Sequence, residues 1–325
     1  MNRRVLLLKG GLAGLGLLAA PAVRAQAAWP NRAIRMIVPY TPGAATDAMA
    51  RLAAFKLQEK LGVSVVVENR PGGSGTLGGQ LLLQAPTDGY TIMGSASIHP
   101  MARHVMKSVP YDPVADFLPL ARTARGPCVL VMDPRLPQQS VAEVIAAAKA
   151  EPRKWSFATS SLGAAGHLAA IEFNRAAGTE IEIVPYRGSA PALTDVAAGN
   201  VQLMFDPVLA TLPMIRGGQL KGLGIATPAR TGLAAELPTL AESGLPGFAF
   251  YSWYGVWGPR ALPPAIAARL NAIIVDGLHE PEMVQRLAGQ GFEPVRETIP
   301  DIEAAIAEDV SHSAELLRIA KFEPQ

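Results

Sequence analysis

Apolar and polar positions follow two alternating rhythms along this chain. Compact apolar runs rich in β-branched residues, AIRMIVPY (33–40), SVVVEN (64–69) and YTIMGSAS (90–97), have the length and composition of strands. Between them apolar side chains recur every three to four residues, the spacing of a helix with one buried face. Thr46 or Asp47 is placed to cap the first helix, which runs to about Leu61, and another covers about Gln80–Ala85. The rhythm restarts at Cys128. CVLVM is a strand, SVAEVIAAAKA (140–150) a helix, WSFATS (155–160) a strand, and a helix runs from about Ala165 to Ala177. The strand EIEIVPY (180–186), helical PALTDVAAG (191–199), and the strands VQLMFD (201–206) and LKGLGIAT (220–227) complete the series. The last third is largely amphipathic helix.

This alternation predicts an α/β fold built on a mostly parallel sheet. Its restart predicts two lobes facing a cleft. Residues 26–127 and 227–325 form lobe 1 and residues 128–226 form lobe 2, with crossings near 126–129 and 224–228. Ligands in open α/β sheets bind beyond the carboxyl ends of strands, so the loops after the strands are the candidate site.

Length and composition agree with this reading. A chain of 325 residues that is 49% hydrophobic and 17% charged is a folded two-domain protein. The N-terminus is a separate matter. MNRRVLLLKGGLAGLGLLAAPAVRA has basic residues, an apolar run and a small-residue cleavage site, the outline of a secretory signal peptide over 1–25, cut near Ala25. Arg3-Arg4 also fits, imperfectly, a twin-arginine signal. The expected location is the periplasm. Removing the leader takes away four basic residues, leaving 25 basic against 27 acidic side chains, a net charge of −2 in place of +2. No basic stripe suggests nucleic acid. The lone Cys128 cannot form an internal disulfide.

Enzyme signatures are sparse. The chain has no GxSxG elbow, no Walker A sequence and no HExxH, and its five histidines make no Cys/His cluster, so neither a metal nor a cofactor is expected. GSGTLG (73–78) matches a dinucleotide fingerprint, but no acidic residue between Gly89 and Tyr111 could hold a ribose. VPYTPGAATD (38–47) is more informative. It passes from strand to helix through small residues, and Gly43, Ala44 and Ala45 leave loop amides open beside the positive end of a helix dipole. Such a turn accepts an anion; packed tightly, it is only a turn. FATSSLGAAGHLAAIEF (157–173) repeats the arrangement, with hydroxyls from Thr159, Ser160 and Ser161, amides from Gly163 to Gly166, and a helix starting beside His167. Neither loop contains Lys or Arg, which favours a small carboxylate over a polyphosphate.

WPNRAIRMIVPYTPGAATDAMAR, VVVENRPGGSGTLGG, VPYDPVADFLPLA, the 157–173 loop, IVPYRGSAPALTDVAAGNVQLMFD, PTLAESGLPGF and SWYGVWGPRALPP cover nearly all of the chain after the leader. In these segments it resembles the Bug-type (TctC-like) solute-binding receptors of tripartite tricarboxylate transporters. The resemblance implies a monomeric, periplasmic-binding-protein-like receptor that closes on a small organic acid and delivers it to the transporter's membrane subunits. It places Tyr40, Ala44, Ala45, Thr46 and Asp47 on one side of the ligand, with Ser95 and Ser97 at the end of the third strand. Thr159, Ser160, Gly163, Gly166 and His167 stand opposite, with Tyr186, Arg187, Gly188 and Asp206 at neighbouring strand ends. Tyr40 and Tyr186 could instead plug the core edge, and Asp206 could cap a helix. Ala44-Ala45 replaces the glycine or proline-glycine of relatives, and Leu162 stands where many carry Asn, which implies a less polar acid. Two other readings are presentation of the ligand to a signalling sensor, and a secreted hydrolase using Ser160 or Ser161 with His167.

Overall fold

The computed structural model describes residues 29–325, so the leader read over 1–25 lies outside the described residues. The chain begins with β1 (Ile34–Val38), α1 (Ala45–Leu61), β2 (Val65–Asn69), α2 (Thr76–Leu83), β3 (Thr91–Ala96) and the single turn α3 (Ala102–Val105). The long β4 (Phe117–Met132) leads to α4 (Val141–Ala150), β5 (Ser156–Thr159), α5 (Ala165–Ala177), β6 (Glu182–Pro185) and α6 (Ser189–Ala198). Then come β7 (Leu203–Pro207), α7 (Val208–Arg216), β8 (Lys221–Ile225) and β9 (Tyr251–Pro259). The chain closes with α8 (Pro264–Leu278), α9 (Pro281–Gly289), β10 (Glu293–Pro294) and α10 (Ile299–Ile319).

The strand order is β2-β1-β3-β9-β4-β7-β5-β6, with β8 and β10 also pairing β4. Between the named strands, parallel pairing occurs in β2-β1-β3 and β6-β5-β7, and every partner of β4 and β9 runs antiparallel. The sheet is therefore mixed rather than mostly parallel. The reason is β4, which runs through both lobes. Up to Pro127 it pairs with β9, and from Cys128 with β7. Periodicity alone finds this strand only from Cys128. Its first half contains Pro119, which sits at a register shift where a missing N–H is tolerated, and Arg122, which pairs with Glu297.

The return crossing is displaced. At the waist Cys128 N donates to Phe250 O (2.9 Å), Phe250 N to Ala226 O (3.1 Å) and Ala226 N to Cys128 O (2.8 Å). Between these points Leu240, Leu245 and Phe248 sit in the same core as Phe157 and Phe205. Residues 227–250 therefore pack with lobe 2, and the chain returns to lobe 1 at Phe250–Tyr251. Lobe 1 is centred on Ile34, Met36, Leu57, Ile92 and Leu270. Lobe 2 buries apolar residues on both faces of its sheet, with α5 covering one and α6 and α7 the other.

The C-terminal helix makes a third link. Ile302 and Ile306 of α10 pack with Trp253 and Trp257 in lobe 1. Its far end, Leu316 and Leu317, joins Met101 and Val105 of lobe 1 and Leu168 and Ile171 of lobe 2. Beyond it Gln325 N donates to Val105 O and Lys107 N donates to Gln325 O, both at 3.1 Å.

Candidate functional site

The loops after β1 and β5 share one local structure. Gly43 (φ 86°) and Gly163 (φ 79°) take left-handed backbone that a Cβ would strain. Ala44 and Ala164 follow in extended conformation (ψ 168° and 157°), and helices begin at Ala45 and Ala165. The side chain at the third helical position turns back in each case. Asp47 Oδ2 accepts the Gly43 N–H at 3.0 Å, and His167 Nδ1 accepts the Gly163 N–H at 3.1 Å. Neither Ala44 nor Ala164 carries a side chain that can cap, so the amides of Ala45, Thr46, Ala165 and Gly166 keep the free donors of a helix start. Among the described α-helices, side chains cap only α4, through Ser140, and α10, through a Thr298–Asp301 capping box. The expected cap at Thr46 or Asp47 is thus shifted to Ala44, which cannot perform it. The repeat is visible in the sequence as GAATD and GAAGH, a correspondence that a search for known motifs passes over.

Asp47 holds its loop from within. It is buried, and besides Gly43 it accepts from Arg51 Nε (2.9 Å) and Asn69 Nδ2 (2.9 Å), while Asn69 also donates to Tyr40 O (3.0 Å). Burial alone would raise the Asp47 carboxyl, but the hydrogen bonds from Arg51, Gly43 and Asn69 outweigh it and hold the group below the usual carboxylate range. Its oxygens are committed inward, so Asp47 pins the loop. Asp47→Ala leaves the Gly43 amide without its acceptor, takes one of two acceptors from Asn69, and is expected to cost about 1–3 kcal/mol and to weaken ligand binding. A depressed carboxyl contributes above its unfolded pKa of about 3.9 and stops contributing as pH falls through its lower folded value. Melting temperatures of wild type and variant should therefore converge on acidification. A gap that stays constant to pH 2 would contradict this role.

The remaining predicted residues divide into those that line the loops and those that face elsewhere. Thr46 and Ser160 are half-buried at their loops, Ala44 is exposed, and Ala45 is partly covered. Thr159 is fully buried and its Oγ1 donates to Ser161 O (3.2 Å), bracing the second loop. Tyr40 sits partly covered over the Gly75 backbone, its phenol pushed up to about 12 by burial, with Ser95 beside it acting the other way. Ser95 itself is buried and meets no partner with hydrogen-bond geometry. Half-buried Ser97 is held by its amide to Trp253 O (2.9 Å). Gly188 N and Tyr186 N donate to Ser160 O and Thr159 O, bringing the ends of β5 and β6 together.

Three residues differ from the expectation. The Tyr186 hydroxyl donates to Asp195 Oδ2 on α6 (2.7 Å), and its ring packs on the lobe 2 core, so it plugs the core edge. His167 is buried and held neutral, its pKa pushed down to about 4 by burial. With Nδ1 taken by Gly163, the proton is on Nε2, and the ring lies edge-on to Phe322 at 5.2 Å. That geometry leaves no imidazole nitrogen to serve Ser160 or Ser161 as a base, and it makes His167 a pin like Asp47. Leu162 packs with the Met101, Val105 and Leu168 cluster between the lobes, where its apolar character serves the interface. A groove of about 530 Å³ adjoins the second loop, lined by Leu162, His167, Ile171, Ile183, Leu316 and Phe322. Sequence reasoning missed Asn69 and Ser189, which hold Asp47 and Asp206 from other elements.

Comparisons with known proteins agree on one family. Residues 49–321 match the model of the tripartite tricarboxylate transporter family receptor. Protein BugT of Bordetella pertussis is 37% identical over 292 residues, spanning 89% of this chain and 90% of that protein. Among solved structures, R. palustris Rpa4515 with adipate is 36% identical with a TM-score of 0.86, over 91% of this chain and all (100%) of that one. MatC (Rpa3494) from Rhodopseudomonas palustris with bound malate is 27% identical with a TM-score of 0.81, over 89% and 99%.

Proposed function

The chain belongs to the tripartite tricarboxylate transporter receptor family, and from that premise we propose that it captures a small organic acid between its lobes and hands it to the membrane subunits of such a transporter. The observation that carries this reading is the matched pair of uncapped helix starts, GAATD in lobe 1 and GAAGH in lobe 2. Each offers free amides at the positive end of a helix dipole without a bulky or cationic side chain. A carboxylate gripped from both sides gains charge-assisted hydrogen bonds of about 1.5–3 kcal/mol each, set against its desolvation. Thr46, Ser160, Ser95 and Ser97 supply hydroxyls around the same gap. Export through the leader, cleavage near Ala25 and a monomeric state belong to the same reading. Presentation to a sensor is the alternative outcome of the same closure.

A thermal-shift screen against mono- and dicarboxylates tests it. A ligand that binds only the folded form stabilises by about 2.7 kcal/mol at a hundredfold excess over Kd, so at least one acid should raise the melting temperature by several degrees. A protein that melts cooperatively but responds to no carboxylate would refute the proposal.

A further inference from the structure

The segment after α10 closes a ring of contacts around the second loop. α10 ends in a Schellman turn, in which Lys321 N donates to Arg318 O (3.1 Å) and Phe322 N to Leu317 O (3.0 Å). The turning residue, Lys321, takes φ 51°, a left-handed backbone where glycine is the usual occupant. That turn sends the half-buried Phe322 ring back onto α5, edge-on to His167. His167 in turn holds the Gly163 amide. Gly163 packs against lobe 1, because a Cβ there would stand 3.1 Å from Val105 Cγ2 and 3.5 Å from Met101 Cβ. Val105 completes the ring: its carbonyl accepts the Gln325 amide, and the Gln325 carbonyl accepts from Lys107 N. The path Phe322–His167–Gly163–Val105–Gln325 therefore starts and finishes in the same short tail, with one end on lobe 2 and the other on lobe 1. The tail is lightly held. Lys321, Glu323, Pro324 and Gln325 are exposed, and Phe322 and Gln325 border the groove beside the second loop. A segment with little buried surface and exposed backbone bonds opens at low cost. Residues 322–325 also lie beyond the span that matches the family.

We propose that residues 322–325 are a clasp that restrains the lobes from parting, and that Phe322 is a positioning residue for the second loop, acting through His167. Parting of the lobes draws α3 away from α5, so the tail loses its hold on Val105 or on His167 as they separate. The two contacts then form and break as one unit. While the clasp is closed, Phe322 keeps the His167 ring against the Gly163 amide, and the loop amides keep their direction. Once it is released, the loop loosens at the moment the lobes gain freedom. The inference rests on contacts between the lobes and not on the carboxylate reading, so either can fail without the other.

Hydrogen exchange of the folded chain without added acid, resolved by residue with NMR, tests this. In Phe322→Ala the amides of Gly163 and Lys107, on opposite lobes, should both exchange about tenfold faster or more, while those of Ile92 and Leu130 in the two cores keep their wild-type rates. Phe322→Leu retains an apolar side chain and should bring both amides back to within about threefold of wild type. A chain stopped after Lys321 should repeat the change at Gly163, which decides the matter if Phe322→Ala does not fold. Spin labels at Gln285→Cys on α9 and Lys154→Cys in lobe 2, both exposed, read the distance between lobes; the buried Cys128 stays unlabelled. The distribution should be narrow in wild type and broad in Phe322→Ala and in the shortened chain. Faster exchange at Gly163 with Lys107 unchanged in Phe322→Ala overturns the clasp, as does a distribution that the variants leave unaltered. Faster exchange at Ile92 and Leu130 as well makes Phe322 a general stabiliser and overturns its positioning role.

Discussion

Gly166→Ala is expected to abolish carboxylate binding and to destabilise the fold. An added Cβ would stand 2.1 Å from the Phe205 carbonyl oxygen, a backbone atom that cannot swing aside. The first turn of α5 would have to lift off β7, moving the Ala165 and Gly166 amides of the proposed carboxylate grip. Overpacking of this kind costs about 1–3 kcal/mol and occasionally more. A shift of about 1 Å in the binding donors removes most of their hydrogen-bond energy, so calorimetry should record at least a hundredfold weaker binding. Gly232→Ala is the matched control, because a Cβ there meets nothing within 4 Å. Full-affinity binding by Gly166→Ala would show that the second loop does not hold the ligand.

Phe205→Ala should give the largest loss of stability. Its ring is fully buried and stacks on Phe157 (5.7 Å between centroids) and Phe248 (5.5 Å), with Phe173 tilted against it at 6.1 Å. Truncating such a residue costs about 3–5 kcal/mol through lost burial and the cavity left behind. The effect should reach the site as well, since the same residue's carbonyl supports Gly166 and its neighbour is Asp206. Phe55→Ala, at a ring 52% exposed, should stay within about 0.5 kcal/mol. Chemical denaturation measures both. A Phe205→Ala loss below about 1 kcal/mol would mean that this lobe repacks freely.

Much of this was legible in the sequence because local pattern and burial agree. The strands after Ile34, Val65 and Thr91 and the helix from Ala165 to Ala177 are where periodicity puts them. The first half of β4 was not legible, because Pro119, Arg122 and Arg125 are accommodated by a bulge and by ion pairs to residues far along the chain. Nor was the return crossing, since Leu240, Leu245 and Phe248 are spaced for no regular element and are placed only by the core they fill. At the candidate site the small residues announced a close approach of backbone. The direction of Asp47 and His167 was hidden, because turning back to a glycine amide and reaching out to a ligand use the same residue types.

The waist also sets the order in which the molecule can assemble as it is made. β3 has two neighbours, β1 and β9, and β9 appears only after all of lobe 2 has emerged. Until then the inner edge of the first three strands is unpaired, a surface open to wrong partners. Lobe 2 holds its own strands in one continuous stretch and can close first. The lobe begun earliest is therefore finished last, and its completion waits on distant pairing of the slow, long-range kind.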